Sequence, residues 1–194
     1  GRVIYQKQAD LYVYDITSGN EKMLNISLIS DFDQKRPFWE KEPLKWLEAA
    51  SLSDNGEHIV LTSRGRVFTA PVNGGRWAEV TRAFGIRFKS ARFMGKKEDV
   101  VFLSDKSGEM ELWKAGKEGL TEPVQLTSGS GVLIMGFLPS PDGKYIAYTE
   151  KDYALKLFDA EKKVTTQIDQ DKTGGFSDLS WSPDRKWLAY TDPA

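Results

Sequence analysis

Short apolar runs separated by polar turns are the main pattern along this chain. The clearest run, Tyr145-Ile146-Ala147-Tyr148-Thr149, follows the turn sequence Ser140-Pro141-Asp142-Gly143-Lys144. Short runs rich in β-branched and aromatic residues, bounded by Gly, Pro, Asp and Ser, are typical of β-strands. Because the run is continuously apolar, we expect the strand to be covered on both faces. The pattern predicts an all-β protein.

This unit of turn and apolar run recurs along the chain. A near copy starts at Ser182, a looser copy at Ser53, and a fourth survives mainly as Val100–Ser104. The copies align on one apolar position, which is occupied by Ile59, Val100, Ile146 and Leu188. These positions are 41, 46 and 42 residues apart. A period in the 40s with several short strands per unit is typical of β-propeller blades.

The repeats predict a β-propeller fragment of four-stranded antiparallel blades, with three complete blades and two partial ones. The opening unit offers strands b, c and d but no inner strand a, so we expect the chain to begin within a blade. The predicted strands are 2–6, 11–15 and 22–28; 49–53, 59–63, 66–70 and 78–81; 90–94, 100–104, 110–114 and 124–127; 135–140, 146–149, 155–159 and 164–168; 178–182 and 187–191.

Residues 30–46 interrupt the strand pattern. They include Pro37 and Pro43 among many charged residues, and proline suits a connector because it has no N–H to donate to a sheet. We therefore expect a linker between the last blade of one propeller, 1–29, and the first blades of a second, 47–194. The expected blades of the second propeller are 47–82, 88–128, 131–170 and the partial blade 176–194.

The two partial blades raise the question of whether the blades close into a ring. Pairing the opening strands with the inner strand 178–182 would close a small four-bladed ring, but strand 187–191 would then have no place. We therefore expect an open arc whose edges are covered by other parts of the parent protein, because exposed strand edges invite aggregation.

Composition excludes several classes of function. The net charge is -1, and basic and acidic residues are interspersed, so we expect neither nucleic acid nor an anionic membrane as a partner. No run of about 18 apolar residues occurs, so no membrane-spanning helix is expected. The absence of cysteine excludes disulfides, thiol nucleophiles and Cys-ligated zinc, but it does not identify the compartment.

Catalytic and metal-binding patterns are not found in the sequence. The only histidine, His58, occupies the repeat position of Tyr145 and Trp187, which favours packing over catalysis. No Gly-x-Ser-x-Gly nucleophile elbow or glycine-rich phosphate loop occurs. Residues 169–174 imitate the start of a calcium loop, but Ser180 stands where a bidentate Glu is needed. We expect no catalytic residue, no metal site and no cofactor.

Three arginines are the candidate binding residues. Arg82, Arg87 and Arg92 cluster around the connection between two predicted blades. Guanidinium groups in a peptide channel can hold carboxylates with two hydrogen bonds. The residues themselves favour a solvated rim in which these arginines pair with nearby acids such as Glu79.

The repeat resembles a known family of propellers. The Ser-Pro-Asp-Gly-Lys-x-Ile-Ala-Tyr unit at Ser140 is similar to the WD40-like repeat shared by TolB and tricorn-type proteases. The order of Gly1–Gln6, Asp10–Asp15, a linker with Arg36-Pro37, and Ser63–Val72 resembles the junction of two propellers in tricorn proteases. In that family a six-bladed propeller leads into a seven-bladed one.

The resemblance implies part of a large cytoplasmic serine peptidase that forms a homohexamer and degrades peptides. Its propellers would be channels and size filters for peptides, joined to the remaining domains of the parent protein. The family's catalytic machinery lies in C-terminal domains, so no catalytic residue is carried over to this chain. Exported relatives leave a periplasmic location open. The alternatives are a TolB-like interaction scaffold and the lid propeller of a prolyl-oligopeptidase-type enzyme.

Overall fold

The computed structural model describes residues 1–7, 10–27, 29, 41–129 and 131–192. It divides into two compact units, Gly1–Lys41 and Glu42–Ala194. Regular structure in the described ranges consists of β-strands and one short 3-10 turn at Pro43–Trp46. No helix in these ranges has the length and hydrophobicity needed to cross a bilayer. Most of the predicted linker, 30–40 including Arg36-Pro37, lies outside the described residues.

The first unit contains one antiparallel sheet of three strands. They are β1 (Arg2–Lys7), β2 (Asp10–Asp15) and β3 (Glu21–Leu24), paired in chain order. After β2 the chain reverses because the carboxylate of Asp15 accepts the backbone N–H groups of Thr17 and Ser18, at 3.0 and 3.1 Å. The third strand was predicted to run to Leu28, but it ends at Leu24.

The second unit contains three four-stranded antiparallel sheets and one two-stranded sheet, each paired in chain order. One four-stranded sheet consists of β4 (Leu47–Leu52), β5 (His58–Ser63), β6 (Arg66–Pro71) and β7 (Ala78–Glu79). The next consists of β8 (Phe88–Met94), β9 (Asp99–Ser104), β10 (Glu111–Ala115) and β11 (Val124–Gln125). The last four-stranded sheet consists of β12 (Ile134–Pro139), β13 (Tyr145–Glu150), β14 (Ala154–Asp159) and β15 (Val164–Gln170). The last sheet pairs β16 (Ser177–Trp181) with β17 (Leu188–Thr191).

These sheets confirm the predicted fold class of three complete blades and two partial ones. Among the described strands, β1–β3 and β16–β17 form separate sheets, so the sheets do not close into a ring through strand pairing. The described strands therefore form the expected propeller fragment.

A serine hydroxyl organises the turn that joins the first two strands of three sheets. Ser140 Oγ donates to Asp142 Oδ1 at 2.7 Å and accepts the N–H of Tyr145 at 2.9 Å. The same pair of hydrogen bonds occurs at Ser53 and Ser182. The motif thus closes the turn and starts the next strand with one side chain.

The fourth strands of two sheets are shorter than predicted. β7 and β11 each end two residues before the predicted bound, at Glu79 and Gln125. Thr81 Oγ1 accepts the N–H of Val67 at 3.1 Å, and Thr127 Oγ1 accepts the N–H of Leu112 at 2.9 Å. A side chain therefore replaces the backbone ladder at both strand ends, by the competition that Ser and Thr offer to regular pairing.

The core lies between neighbouring sheets. Val100 and Phe102 of β9 belong to a cluster shared with β5, β6 and β8, and the Phe88 and Phe102 rings meet edge to face with centroids 5.4 Å apart. Val101 and Leu103 point the other way, into a cluster with Ile146, Phe158 and their neighbours. This strand is buried on both faces, as its continuous apolar run predicts. Burial of each such side chain contributes about 1.5–3 kcal/mol.

Glycine lets adjacent sheets approach through their backbones. A Cβ on Gly119, in the loop after β10, would lie 2.1 Å from the carbonyl oxygen of Glu79 in the preceding sheet. Gly95 and Gly143 meet in the same way, since a Cβ on either would lie 3.0–3.1 Å from the other's Cα. All three have positive φ, so both conformation and contact favour glycine.

We predict that Gly119→Ala destabilises the chain by at least about 2 kcal/mol more than Gly56→Ala does. The two glycines have similar φ values, +63° and +70°, but a Cβ on Gly56 meets nothing within 4 Å. The control therefore reports only the left-handed backbone cost, which is about 1 kcal/mol. Urea unfolding measures both variants. Equal midpoints for the two variants would contradict the proposed contact between sheets.

Candidate functional site

A cavity lies where the first strands of the four sheets in the second unit end. We call β4, β8, β12 and β16 the inner strands, and the cavity of about 320 Å³ that they line together the inner groove. Each inner strand is an edge of its sheet, because each is the end member of its strand order. An edge strand leaves a row of backbone N–H and C=O groups free to pair with another chain.

Equivalent positions of the repeats form one row along the inner groove. Each residue lies two positions before the turn serine or its equivalent, and the row consists of Ser51, Arg92, Leu138 and Ser180. The row carries a single charge, the exposed guanidinium of Arg92. At the end of the row, Trp181 is fixed to the neighbouring sheet because its indole Nε1–H donates to Leu138 O at 3.3 Å.

Every inner strand contains a register irregularity. The pairing shifts between Leu47 and Ala49, between Lys89 and Arg92, between Ile134 and Gly136, and between Ser177 and Ser180. Ser90 and Asp178, within two of these shifts, have positive φ values of 55° and 50°. β-Bulges bend a strand and redirect its side chains, and they are frequent beside functional sites. The repeat pattern did not reveal these four irregularities.

The three candidate arginines lie in three different places. Arg92 lines the inner groove, and within the described residues its guanidinium makes no ion pair or hydrogen bond. Arg82 lines a separate cavity beside Gly119 and Pro123. Arg87 lines a third cavity beside Trp46, and its Nη2 lies 4.0 Å from Glu48 Oε2. Neighbours in sequence are thus not grouped in space.

The acid suggested as their partner pairs elsewhere. Glu79 Oε1 accepts a hydrogen bond of 3.0 Å from Arg66 Nη1, on the adjacent strand of the same sheet. The expected pairing of Glu79 with the three arginines was wrong, because antiparallel pairing of β6 and β7 brings Arg66 closer.

His58 lies at the seam between two sheets, and its described contacts are with charged groups. Its Nδ1 is 3.0 Å from Glu98 Oε2, and Lys117 Nζ is 3.5 Å from its Nε2. The Lys117 ammonium also donates to Glu98. Burial opposes the charged form of Glu98, but Lys117 and His58 outweigh it and hold the pKa of this carboxyl below its usual value.

The loop that imitates a calcium site uses its own backbone instead. Asp171 accepts the N–H groups of Lys172 at 2.6 Å, Gly174 at 2.7 Å and Gly175 at 2.9 Å. Asp169 accepts the Tyr190 hydroxyl at 2.8 Å. The hydrogen bonds from Gly174 and Lys172 lower the pKa of Asp171 to about 2. Both carboxylates therefore hold the loop in place through protein contacts.

The family follows from the sheets and the comparison of sequences together. The protein-family model described as the tricorn protease second beta propeller domain matches residues 47–194. The chain belongs to this family. The resemblance to tricorn-type propellers expected from the repeats is confirmed.

Curated relatives of this tricorn propeller match nearly the whole chain. The tricorn protease of Thermoplasma volcanium is 28% identical over 192 residues, which cover 98% of this chain and 18% of that protein. The tricorn protease homolog 1 of Streptomyces coelicolor is 25% identical over 201 residues, which cover 99% of this chain and 18% of that protein. The chain spans about a fifth of the length of the curated relatives it matches.

The likeness of this tricorn propeller to solved structures concerns only its fold. The match to the crystal structure of the tricorn protease covers 97% of this chain and 18% of the tricorn protease chain, with a TM-score of 0.68 and 19% identity. The match to TolB from Acinetobacter baumannii covers 96% of this chain and 45% of the TolB chain, with a TM-score of 0.57 and 15% identity. At these identities both likenesses concern the arrangement of strands.

Sequence reasoning about this tricorn propeller missed the seam around His58. The four residues Glu57, His58, Glu98 and Lys117 belong to two repeats. The available signal was that His58 stands where two sister repeats have the aromatic residues Tyr145 and Trp187, directly after the charged Glu57. That difference marks a polar contact where those two repeats have aromatic side chains.

We predict that Asp171 contributes stability that is lost on acidification. Its folded pKa is lowered from 3.8 to about 2, so the contribution is present above pH 3.8 and disappears as the pH falls towards about 2. Urea midpoints measured across this window should fall more steeply for the native chain than for Asp171→Asn.

Glu118→Gln is the matched control for this prediction. Its side chain is exposed and accepts no hydrogen bond from a described residue. The control should follow the native acid profile. Parallel profiles for the native chain and Asp171→Asn would contradict the role given to the carboxylate.

Proposed function

We propose that this chain is a non-catalytic propeller portion of a tricorn-like serine protease, where its inner strands form part of a channel that filters peptides. The observation that carries the proposal is the inner groove, which four successive edge strands line. The proteolytic site belongs to another part of the parent protein. The contribution of this chain is steric, since a channel sets which peptides reach a distant site.

Edge strands suit a channel for many different peptides. Backbone N–H and C=O groups recognise an extended peptide through its main chain, which every sequence shares. The inner strands are the edges of four sheets, and the row Ser51, Arg92, Leu138 and Ser180 contains one charged side chain. A channel of this kind binds peptides weakly and releases them, as passage requires.

Arg92 is the proposed polar contact for the peptide. Its guanidinium lies on the inner groove with no partner among the described residues, so a carboxylate can bind without displacing an existing ion pair. A hydrogen bond to a charged group contributes about 1.5–3 kcal/mol when desolvated, and less at an exposed site. Arg82 and Arg87 line other cavities, so Arg92 alone of the three arginines is proposed as the contact within the inner groove.

The same proposal covers the organisation of the parent protein. Residues 1–29 would be the last blade of a preceding propeller, 30–46 a linker, and 47–194 the first blades of a second propeller. The family match over 47–194 supports this division. The proposed partners are peptides, the remaining domains of the parent, and further copies of it in a homo-oligomer. The proposed compartment is the cytoplasm, with the periplasm as the alternative.

We predict that peptides with a free C-terminal carboxylate bind the inner groove and shift the indole N–H resonance of Trp181. That resonance is assigned by its loss in Trp181→Phe. Binding constants come from titration of an unstructured peptide and of its C-terminal amide. Arg92→Gln should weaken binding of the free acid by about three- to tenfold, since one exposed charged hydrogen bond is lost. Binding of the amide should change little.

Arg82→Gln is the matched control, because it removes an exposed arginine that lies outside the inner groove. It should leave both binding constants unchanged. The channel proposal fails if a saturating concentration of peptide does not shift the indole N–H resonance of Trp181. The assignment of Arg92 alone fails if Arg92→Gln and Arg82→Gln weaken binding equally.

A further inference from the structure

The seam between the sheet of β4–β7 and the sheet of β8–β11 contains a group of metal-ligand side chains. Glu57 and His58 lie at the start of β5, and Glu98 lies in the turn before β9. One ligand atom from each residue lies within 4.8 Å of the other two. His58 is the only histidine of the chain, and no cysteine is present. Any site that needs an imidazole must therefore use this seam.

The Glu98 carboxylate provides a second, independent observation. The side chain is buried, with 7% of the residue exposed, and its Oε1 makes no hydrogen bond within the described residues. A buried carboxylate oxygen without a partner is costly unless a ligand satisfies it. The carboxylate with the unpartnered oxygen is one of the three metal-ligand side chains.

The contact between His58 and Glu98 has the geometry of two ligands side by side. His58 Nδ1 lies 3.0 Å from Glu98 Oε2, a contact that pairs the two side chains across the seam. A divalent cation that replaced the proton between these atoms would have an imidazole nitrogen and a carboxylate oxygen as neighbouring ligands. Imidazole and carboxylate together favour zinc among common divalent ions, whereas magnesium and calcium prefer oxygen ligands alone.

The exposed ligand is held by a neighbouring side chain. Glu57 Oε2 accepts a hydrogen bond of 3.0 Å from Asn55 Nδ2, and Asn55 Oδ1 accepts the N–H of Glu57. Hydrogen bonds of this kind orient carboxylate ligands before a metal binds.

We propose that Glu57, His58 and Glu98 form a zinc site that links two neighbouring sheets. Glu57 and His58 bind from one sheet, Glu98 binds from the next, and water completes the coordination. Zinc binding at Nδ1 takes the neutral imidazole and releases any proton held on that nitrogen into solvent. The site lies at a seam between sheets, separate from the inner groove, and does not depend on the proposed channel.

Lys117 is the competitor for this site. Its ammonium donates to Glu98 and lies 3.5 Å from His58 Nε2, so it neutralises part of the charge that attracts a metal. Zinc binding must push this side chain outward towards solvent. We therefore expect modest affinity in the native chain and higher affinity in Lys117→Met, which removes the charge and keeps most of the apolar stem.

The test is thermal unfolding of the chain during zinc titration, with magnesium as the comparison ion. At a zinc concentration about 100 times the Kd, the melting temperature should rise by about 5 to 10 °C, and magnesium should have little effect. Lys117→Met should lower the Kd by about tenfold, because it removes the competing charge. His58→Gln should abolish the zinc-dependent rise.

Two further variants keep the test decisive if His58→Gln or Lys117→Met folds poorly. Glu57→Gln changes an exposed side chain and should weaken zinc binding by about tenfold. Glu109→Gln changes an exposed side chain in the turn between β9 and β10 and should leave zinc binding unchanged. Binding of Co²⁺ should also give visible absorption in the native chain that His58→Gln lacks. The proposal is overturned if zinc leaves the native melting temperature unchanged, or if His58→Gln and Glu57→Gln bind zinc as tightly as the native chain.

Discussion

Burial of the middle strands between neighbouring sheets is the interaction on which the structure of the second unit depends. β9 sends Val100 and Phe102 into one apolar cluster and Val101 and Leu103 into the other. A single four-stranded sheet cannot cover both faces of such a strand, so each repeat needs its neighbours. Because the sheets must stack face to face, their first strands come to lie side by side. The inner groove is a consequence of that stacking.

Polar contacts then fix how neighbouring sheets meet. Thr62 Oγ1 accepts the N–H of Ala91 at 3.0 Å, and Thr69 Oγ1 donates to Lys117 O at 2.6 Å. Trp181 makes the corresponding contact to Leu138 between the last two sheets. Apolar packing alone tolerates sliding of one sheet over another, whereas hydrogen bonds between specific atoms do not. The positions of the inner strands relative to one another are therefore fixed by contacts between specific atoms.

The fold was predictable because its signals are local, whereas the candidate sites were not. The Ser140 and Ser182 turns and the apolar runs after them correctly placed the strands, since each strand is determined by residues next to it. The strand ends at Thr81 and Thr127, the inner-strand bulges and the His58 seam depend on contacts between residues distant in sequence. The distribution of Arg82, Arg87 and Arg92 over three cavities has a related reason. A connection between sheets spreads adjacent residues over separate cavities.

Passage of peptides along the inner strands can be tested by photo-cross-linking of an extended peptide that carries a light-activated group, followed by mass spectrometry of the labelled segments. If peptides pass there, cross-links fall on β4, β8, β12 and β16, and Arg92→Gln reduces the yield for peptides with a free carboxylate. Cross-links confined to the outer strands β7, β11 and β15 would contradict it, because those strands lie at the opposite edge of each sheet.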